Sequence, residues 1–289
     1  MLGLFMLFDI VIGALTFVFL LIAAYSDLKS REVPDLLSYG LIFSALGLRG
    51  IFSSVMGGGL FLSGILGFAA CFAVAWFLYK TNLWGGGDSK LLMGMGAVLG
   101  IAYPFTLSSF TLLWFFVLLL FLGSIYGLFW LFGLAFTRWA RFKPVFMERL
   151  VQYKTAHYGL GFFSLAVVSF SFINSLWLFL LFPAFIFYLF LFVTTIEEQC
   201  FVKRISPLKL TEGDWLDEEV IVGEERFARR RALELEDIEE LQTAHKEGKL
   251  TTVIIREGVP FVPSFVFAYV VVLWGMPLAV GTGRQFLGL

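Results

Sequence analysis

Acidic residues are rare over most of this chain, so each one needs an explanation. Outside residues 195–258, the sequence of 289 residues contains six carboxylates, and most of it is apolar. A charge at the centre of a membrane costs at least about 2.5–3.5 kcal/mol, so an acid within a membrane segment is a candidate functional residue. The six are Asp9, Asp27, Glu32, Asp35, Asp88 and Glu148.

Asp27 and Asp88 have the positions that a two-carboxylate site requires. Asp27 follows the first apolar run and Asp88 precedes a short one. If the runs cross a membrane alternately, both acids lie at the same depth on the same side. Two carboxylates that share one proton can activate water against a peptide carbonyl and protonate its oxygen. The simpler interpretations are a polar helix end at Asp27 and a helix N-cap at Asp88.

Three consecutive glycines, Gly85-Gly86-Gly87, precede Asp88. Glycine lowers helix stability by up to about 1 kcal/mol relative to alanine, so the run indicates that another backbone, such as an extended substrate, approaches Asp88 closely. Lys90 is expected to neutralise Asp88, to contact substrate or to be solvated. Asp35 is expected to cap the second apolar helix after Pro34. Asp9 receives no role.

Metal and nucleic-acid chemistry have little support in the sequence. The two cysteines, Cys71 and Cys200, and the two histidines, His157 and His245, lie far apart and without ligand-like spacing. We therefore expect no disulfide framework, no metal site and no cofactor. The net charge of −1 gives no indication of a nucleic-acid partner.

The elements that position the two acids are apolar runs long enough to cross a bilayer core of about 30 Å. Hydrophobic residues make up 59% of the chain, against about 45–50% in soluble domains. The sequence predicts an all-α polytopic membrane protein of 6–8 transmembrane helices with a small α+β cytoplasmic domain. The predicted runs are 2–26, 36–53, 58–79, a short run at 89–103, 107–136, 159–195 and 260–281.

The run at 159–195 is too long for one span, since a helix of 37 residues measures about 55 Å. We expect two spans with a break near Ile173-Asn174-Ser175, although one long helix kinked at Pro183 is the alternative. The first choice gives eight spans and places the charged segment in the cytoplasm; the second gives seven and places it outside.

Lysine and arginine in the short loops predict the orientation. Nine of these residues fall on one side and two, Arg49 and Arg284, on the other, which places the Asp27 and Asp88 loops in the cytoplasm. The nine are Lys29, Arg31, Lys80, Lys90, Arg138, Arg141, Lys143, Arg149 and Lys154.

Residues 195–258 hold 16 of the 22 acidic and 10 of the 21 basic residues, so this segment faces water. We predict a transmembrane catalytic domain at 1–195, a soluble cytoplasmic domain at 196–258 and a C-terminal transmembrane helix at 259–289. Within the soluble domain, strands are predicted at 219–222 and 250–255 and a helix at 224–246.

The chain resembles the archaeal preflagellin and type IV prepilin peptidases of the GxGD class of membrane aspartyl proteases. Four ordered motifs carry the resemblance. They are Ser26-Asp27 with Arg31-Glu32-Val33-Pro34, Gly85-Gly86-Gly87-Asp88 with Lys90, Glu212-Gly213-Asp214-Trp215-Leu216, and Glu257-Gly258-Val259-Pro260-Phe261-Val262-Pro263.

The resemblance implies that Asp27 and Asp88 are the catalytic pair. It further implies removal of the short basic leader peptide from archaellin or type IV pilin precursors at the cytoplasmic face of the cell membrane. The N-methylation of bacterial relatives is not implied, because their cysteine-rich zinc module is missing. A presenilin-like intramembrane protease is a poorer match, since Tyr25 does not directly precede Asp27. A proton-coupled transporter that uses Asp9, Asp27 and Asp88 is the non-enzymatic alternative.

Overall fold

The computed structural model describes residues 2–81, 83–105, 107–222, 225–228 and 233–280. In this part of the chain ten α-helices and five short β-strands are present. They form two compact units, residues 1–127 with 259–289, and residues 128–258.

The first unit contains the helices that begin and end near the predicted apolar runs. They are α1 (Leu2–Ser30), α2 (Asp35–Met56), α3 (Gly59–Lys80), α4 (Gly86–Leu99), the first part of α5 (Thr111–Thr137) and α10 (Val262–Val280). A 3-10 turn at Leu107–Phe110 precedes α5, so the predicted start of this span at 107 is four residues too early.

Within the described part of the chain, five helical segments are long and apolar enough to cross a membrane. They are Gly3–Ser30, Asp35–Met56, Gly59–Lys80, Thr111–Thr137 and Ser175–Gln199. The protein is therefore a multi-pass membrane protein, as predicted. Two further apolar helices, α4 with 14 residues and α10, are not among these five.

Helices α3 and α4 pack closely because glycines face each other across the contact. A Cβ atom on Gly67 would lie 2.2 Å from the carbonyl oxygen of Gly96, and one on Gly96 would lie 2.4 Å from that of Gly67. Larger residues would push the two backbones apart. This close contact fixes the position of α4, which carries Asp88.

Arg49 is fully buried inside the first unit and links three helices. Its guanidinium donates to the carbonyl oxygens of Leu60 at 3.0 Å and Val98 at 2.7 Å, and to the hydroxyl of Ser63 at 2.6 Å. It also interacts electrostatically with Asp9. The assignment of Arg49 to an outer loop is wrong, since it lies within α2. Arg284 lies outside the described residues.

The second unit begins with helices that surround the remaining apolar run. They are α6 (Trp139–Gln152), α7 (Lys154–Ser171), a 3-10 helix (Ser175–Leu181) and α8 (Phe182–Gln199). The break predicted near Ile173-Asn174-Ser175 is confirmed: α7 ends at Ser171, and the Asn174 side chain accepts the N–H of Leu176 at 2.9 Å to start the next segment. The first arm starts at Lys154 rather than at 159.

The rest of the second unit is a small α+β fold. Strand β5 (Val253–Arg256) lies between β1 (Val202–Ile205) and β2 (Trp215–Leu216), and both pairings are antiparallel. Strands β3 (Val220–Val222) and β4 (Glu225–Ala228) form a separate antiparallel pair. Helix α9 (Leu235–Lys246) packs on a core that includes Leu216, Leu241 and Val253.

The predicted helix at 224–246 is wrong in its first part. Residues 225–228 form strand β4, and a capping box at Glu234 and Asp237 starts α9 eleven residues later than predicted. Residues 223–224 and 229–232 lie outside the described part. Pairing with β3 overrides the helical preference of the Glu and Arg residues in this stretch.

Candidate active site

Asp27 lies near the end of α1 and is 6% exposed. Its carboxylate oxygen Oδ2 accepts the backbone N–H of Val262 at 2.9 Å. Val262 is the first residue of α10, and the first N–H groups of a helix have no partner within the helix itself. The carboxylate of Asp27 therefore satisfies an otherwise unpaired donor at the positive end of the α10 dipole.

The loop before α10 also packs against the segment that leads to Asp88. The ring of Phe261 lies 5.2 Å from that of Trp84, and the ring of Phe265 lies 5.9 Å from it, centroid to centroid. Trp84 directly precedes the glycine run. The start of α10 thus contacts one acid directly and the loop of the other acid through aromatic packing.

Asp88 is the third residue of α4, and Gly85, not Asp88, is the N-cap. The N-cap interpretation of Asp88 is therefore wrong. Asp88 accepts no hydrogen bond from the described residues, but its carboxyl group lies close enough to Asp27 to interact with it electrostatically. The two acids that the sequence selects lie within electrostatic range of each other, as a dyad requires.

Close packing accounts for one glycine of the run, Gly87. A Cβ atom on Gly87 would lie 3.2 Å from Cβ of Val33, tighter than nearly all natural contacts. Val33 belongs to the segment that follows Asp27, and Ser26 fixes this segment by donating to the carbonyl oxygen of Glu32 at 2.9 Å. At Gly87 the group that approaches most closely is therefore a side chain of the protein itself.

Gly85 and Gly86 differ from Gly87. A Cβ atom on Gly85 would lie 3.8 Å from Oδ2 of Asp88, and one on Gly86 would lie 3.8 Å from the Tyr79 ring, both ordinary van der Waals distances. Their lack of side chains leaves space beside the Asp88 carboxyl group.

Lys90 pairs with Asp35 and not with Asp88. Its ammonium group lies 2.5 Å from Oδ1 of Asp35 and 5.4 Å from the centroid of the Tyr39 ring. The expected cap at Asp35 is also wrong, because the N-cap of α2 is Pro34 and receives no side-chain bond. Asp35 and Lys90 instead join the starts of α2 and α4.

Sequence reasoning missed one residue near the pair, Tyr126 on α5. Its phenol interacts electrostatically with Asp27 and with Arg31. One tyrosine among many aromatic residues in an apolar run carries no signal that would have singled it out. Among the described residues, no three His, Cys, Asp or Glu side chains lie close enough together to hold a metal ion.

Comparison with known proteins points to the same region of the chain. Residues 14–141 match the type IV leader peptidase family. The predicted resemblance is confirmed over this stretch, which contains Asp27, the glycine run and Asp88.

Three curated relatives are named preflagellin peptidase. The protein from Methanocaldococcus jannaschii is 36% identical over 92 residues, which are 32% of this chain and 38% of the relative. The protein from Methanococcus voltae is 37% identical over 87 residues, 29% of this chain and 37% of the relative.

The protein from Methanococcus maripaludis is 33% identical over 97 residues, 31% of this chain and 38% of the relative. The matched stretch thus spans less than two fifths of the length of these relatives. No solved structure matches the chain.

Proposed function

We propose that this protein is a membrane aspartyl endopeptidase that removes the short basic leader peptide from archaellin or type IV pilin precursors, with Asp27 and Asp88 as its catalytic pair. One observation carries the proposal: Asp27, fixed by the start of α10, lies within electrostatic range of Asp88. The match of residues 14–141 to the leader peptidase family and the names of the three relatives support it.

The two acids have different surroundings, which suggests different roles. Asp27 accepts a main-chain N–H at a helix start, and such a bond favours a charged carboxylate. Asp88 has no such donor among the described residues and lies within electrostatic range of Asp27. Two like charges in one site oppose each other's ionisation, so we assign the shared proton to Asp88.

The reaction then needs only water and these two groups. Asp27 removes a proton from water, the oxygen attacks the scissile carbonyl, and Asp88 protonates the carbonyl oxygen. The leaving amine takes the proton from Asp27 when the tetrahedral intermediate collapses, and Asp88 regains its own. A substrate backbone in an extended conformation would approach Asp88 along Gly85 and Gly86, which carry no side chain.

The lysines and arginines of the loops favour a cytoplasmic site. Nine such residues are predicted on the Asp27 side, and Arg49, predicted on the other side, is buried inside α2. The basic leader peptide of a precursor lies in the cytoplasm, where it can reach the two acids. The hydrophobic segment that follows the leader can remain in the membrane.

Co-expression of the full chain with preflagellin and prepilin precursors tests the proposal. We expect a mobility shift equal to leader removal, with a new N-terminus just before the hydrophobic segment. Cleavage within the hydrophobic segment would instead indicate an intramembrane protease, and unchanged precursors in the presence of well-expressed enzyme would contradict the proposed activity.

A further inference from the structure

A basic groove lies in the second unit, away from the two acids in the sequence. It is open and has a volume of about 870 Å³. Residues from three elements line it: the end of α5, the start of α6, and the segment from the end of α8 into β1. The charged residues among them are Arg138, Arg141, Glu198, Lys203 and Arg204.

Some of these charges already have partners. Arg138 donates to the carbonyl oxygen of Cys200, Glu198 pairs with Arg149, and Lys203 lies 2.6 Å from Oε1 of Glu257. Arg141 and Arg204 have no acidic partner within the part of the chain that the structure describes, and both are exposed. The groove therefore presents two guanidinium groups that are not neutralised by these acids.

The groove lies at the level where membrane spans end. The apolar segment Thr111–Thr137 ends at a residue that lines the groove, and so does the segment Ser175–Gln199. Trp139, at the start of α6, is 52% exposed, as expected for an aromatic residue at a membrane–water interface. Lipid headgroups occupy this level, so an anionic headgroup can reach the two arginines.

We propose that this groove binds the phosphate headgroup of an anionic membrane phospholipid. The planar guanidinium groups of Arg141 and Arg204 can each donate two parallel hydrogen bonds to phosphate oxygens. The acyl chains of the lipid extend along the exposed apolar surfaces of α5 and α8, where Phe136 and Phe190 are 82% and 61% exposed. A soluble phosphate would lack this second contact.

The test measures lipid binding by the purified full-length protein in detergent. Native mass spectrometry during titration with phosphatidylglycerol or phosphatidylcholine reports the affinity for each lipid. We expect phosphatidylglycerol to bind more tightly. The double variant R141Q/R204Q should lose about 25-fold in affinity for phosphatidylglycerol, since each basic residue near an anionic surface contributes about fivefold.

The matched control is K143Q/K154Q, which removes two exposed cations of the same unit that do not line the groove. It should bind phosphatidylglycerol as the natural sequence does. Circular dichroism and gel filtration show whether each variant folds, and K203Q, which keeps both Arg141 and Arg204, provides a milder second variant with a smaller loss.

Three results would overturn the proposal. The first is equal affinity for the two lipids, and the second is an equal loss in the groove and control variants. The third is displacement of the lipid by millimolar glycerol phosphate, which would assign the groove to a free phosphate compound instead.

Discussion

The backbone N–H of Val262 donates to the carboxylate of Asp27 at 2.9 Å, which joins residues 235 positions apart in the chain. The contact links two of the motifs that carry the family resemblance, one at the end of α1 and one at the start of α10. It also gives the Gly-Val-Pro-Phe-Val-Pro segment a physical role, because α10 must start at the carboxylate for the donor to reach it.

Substitution of Val262 by proline removes this N–H and also exchanges a buried side chain. Proline is tolerated at the first position of a helix, where Val262 lies. A hydrogen bond to a charged group contributes about 1.5–3 kcal/mol, so Val262→Pro should lower kcat/KM by about 10- to 150-fold. Because the charged form of Asp27 loses its donor, the acidic limb of the pH–rate profile should move to higher pH.

Val262→Ala is the control for this change, since it keeps the N–H and shortens the side chain. We expect an unchanged pH profile for Val262→Ala, whatever its effect on stability. An identical shift in both variants would show that side-chain packing, not the hydrogen bond, positions Asp27.

The two acids should be individually necessary. Asp27→Asn and Asp88→Asn should each reduce leader cleavage to background, because an amide can neither accept the proton from water nor complete the shared-proton pair. Asp35→Asn should keep most of the activity, since the Asp35–Lys90 pair is partly exposed and such pairs contribute about 0–1 kcal/mol. Cleavage assays with equal amounts of membrane-inserted protein measure all three. Activity in either dyad variant would exclude the proposed mechanism.

The membrane helices could be predicted from the sequence because long apolar runs have few alternative structures in a bilayer. Helix α6 was missed, since residues 139–152 mix basic, aromatic and apolar residues in an amphipathic pattern and do not form an apolar run. Strand β4 was missed for a different reason. Its residues prefer a helix, and only the pairing with β3 makes them a strand.

The candidate site could also be predicted only in part. Asp27 and Asp88 could be selected because a carboxylate within a membrane segment costs free energy, so such residues are rare. Their partners could not be predicted. The donor to Asp27 is a main-chain group, which has no sequence signature, and the pairing of Lys90 with Asp35 depends on how α2 and α4 pack.

Gly87 should tolerate alanine only if Val33 is made smaller. In Gly87→Ala the new Cβ atom lies 3.2 Å from Cβ of Val33, and overpacking typically costs about 1–3 kcal/mol. We expect a lower unfolding temperature and reduced cleavage for this variant. The double variant Val33→Gly/Gly87→Ala, which removes Cβ of Val33, should recover much of both.

Gly86→Ala is the matched control for Gly87→Ala. Its Cβ atom has ordinary contacts, and alanine favours the helix by about 1 kcal/mol over glycine, so its stability should be equal or higher. Its cleavage rate tests the space proposed for substrate: a higher KM at unchanged stability supports a substrate backbone at Gly86. A failure of Val33→Gly to restore the Gly87→Ala variant would show that the run serves substrate at Gly87 also.

Thiol labelling can test the predicted cytoplasmic position of the charged segment. Cys200 is unsuitable because it is 1% exposed, and burial raises the pKa of its thiol. Thr251 is exposed, so Thr251→Cys in a Cys71→Ala/Cys200→Ala background provides a reactive site in the same segment.

If residues 159–195 form two spans, an impermeant maleimide should label the thiol introduced by Thr251→Cys in inside-out vesicles and not in intact cells. Gly58→Cys, at a position with open space, should show the opposite pattern and confirms that the reagent reaches the outer face. Labelling of the Thr251→Cys variant in intact cells would mean that residues 159–195 cross the membrane once, because an odd number of spans there would place residues 196–258 outside.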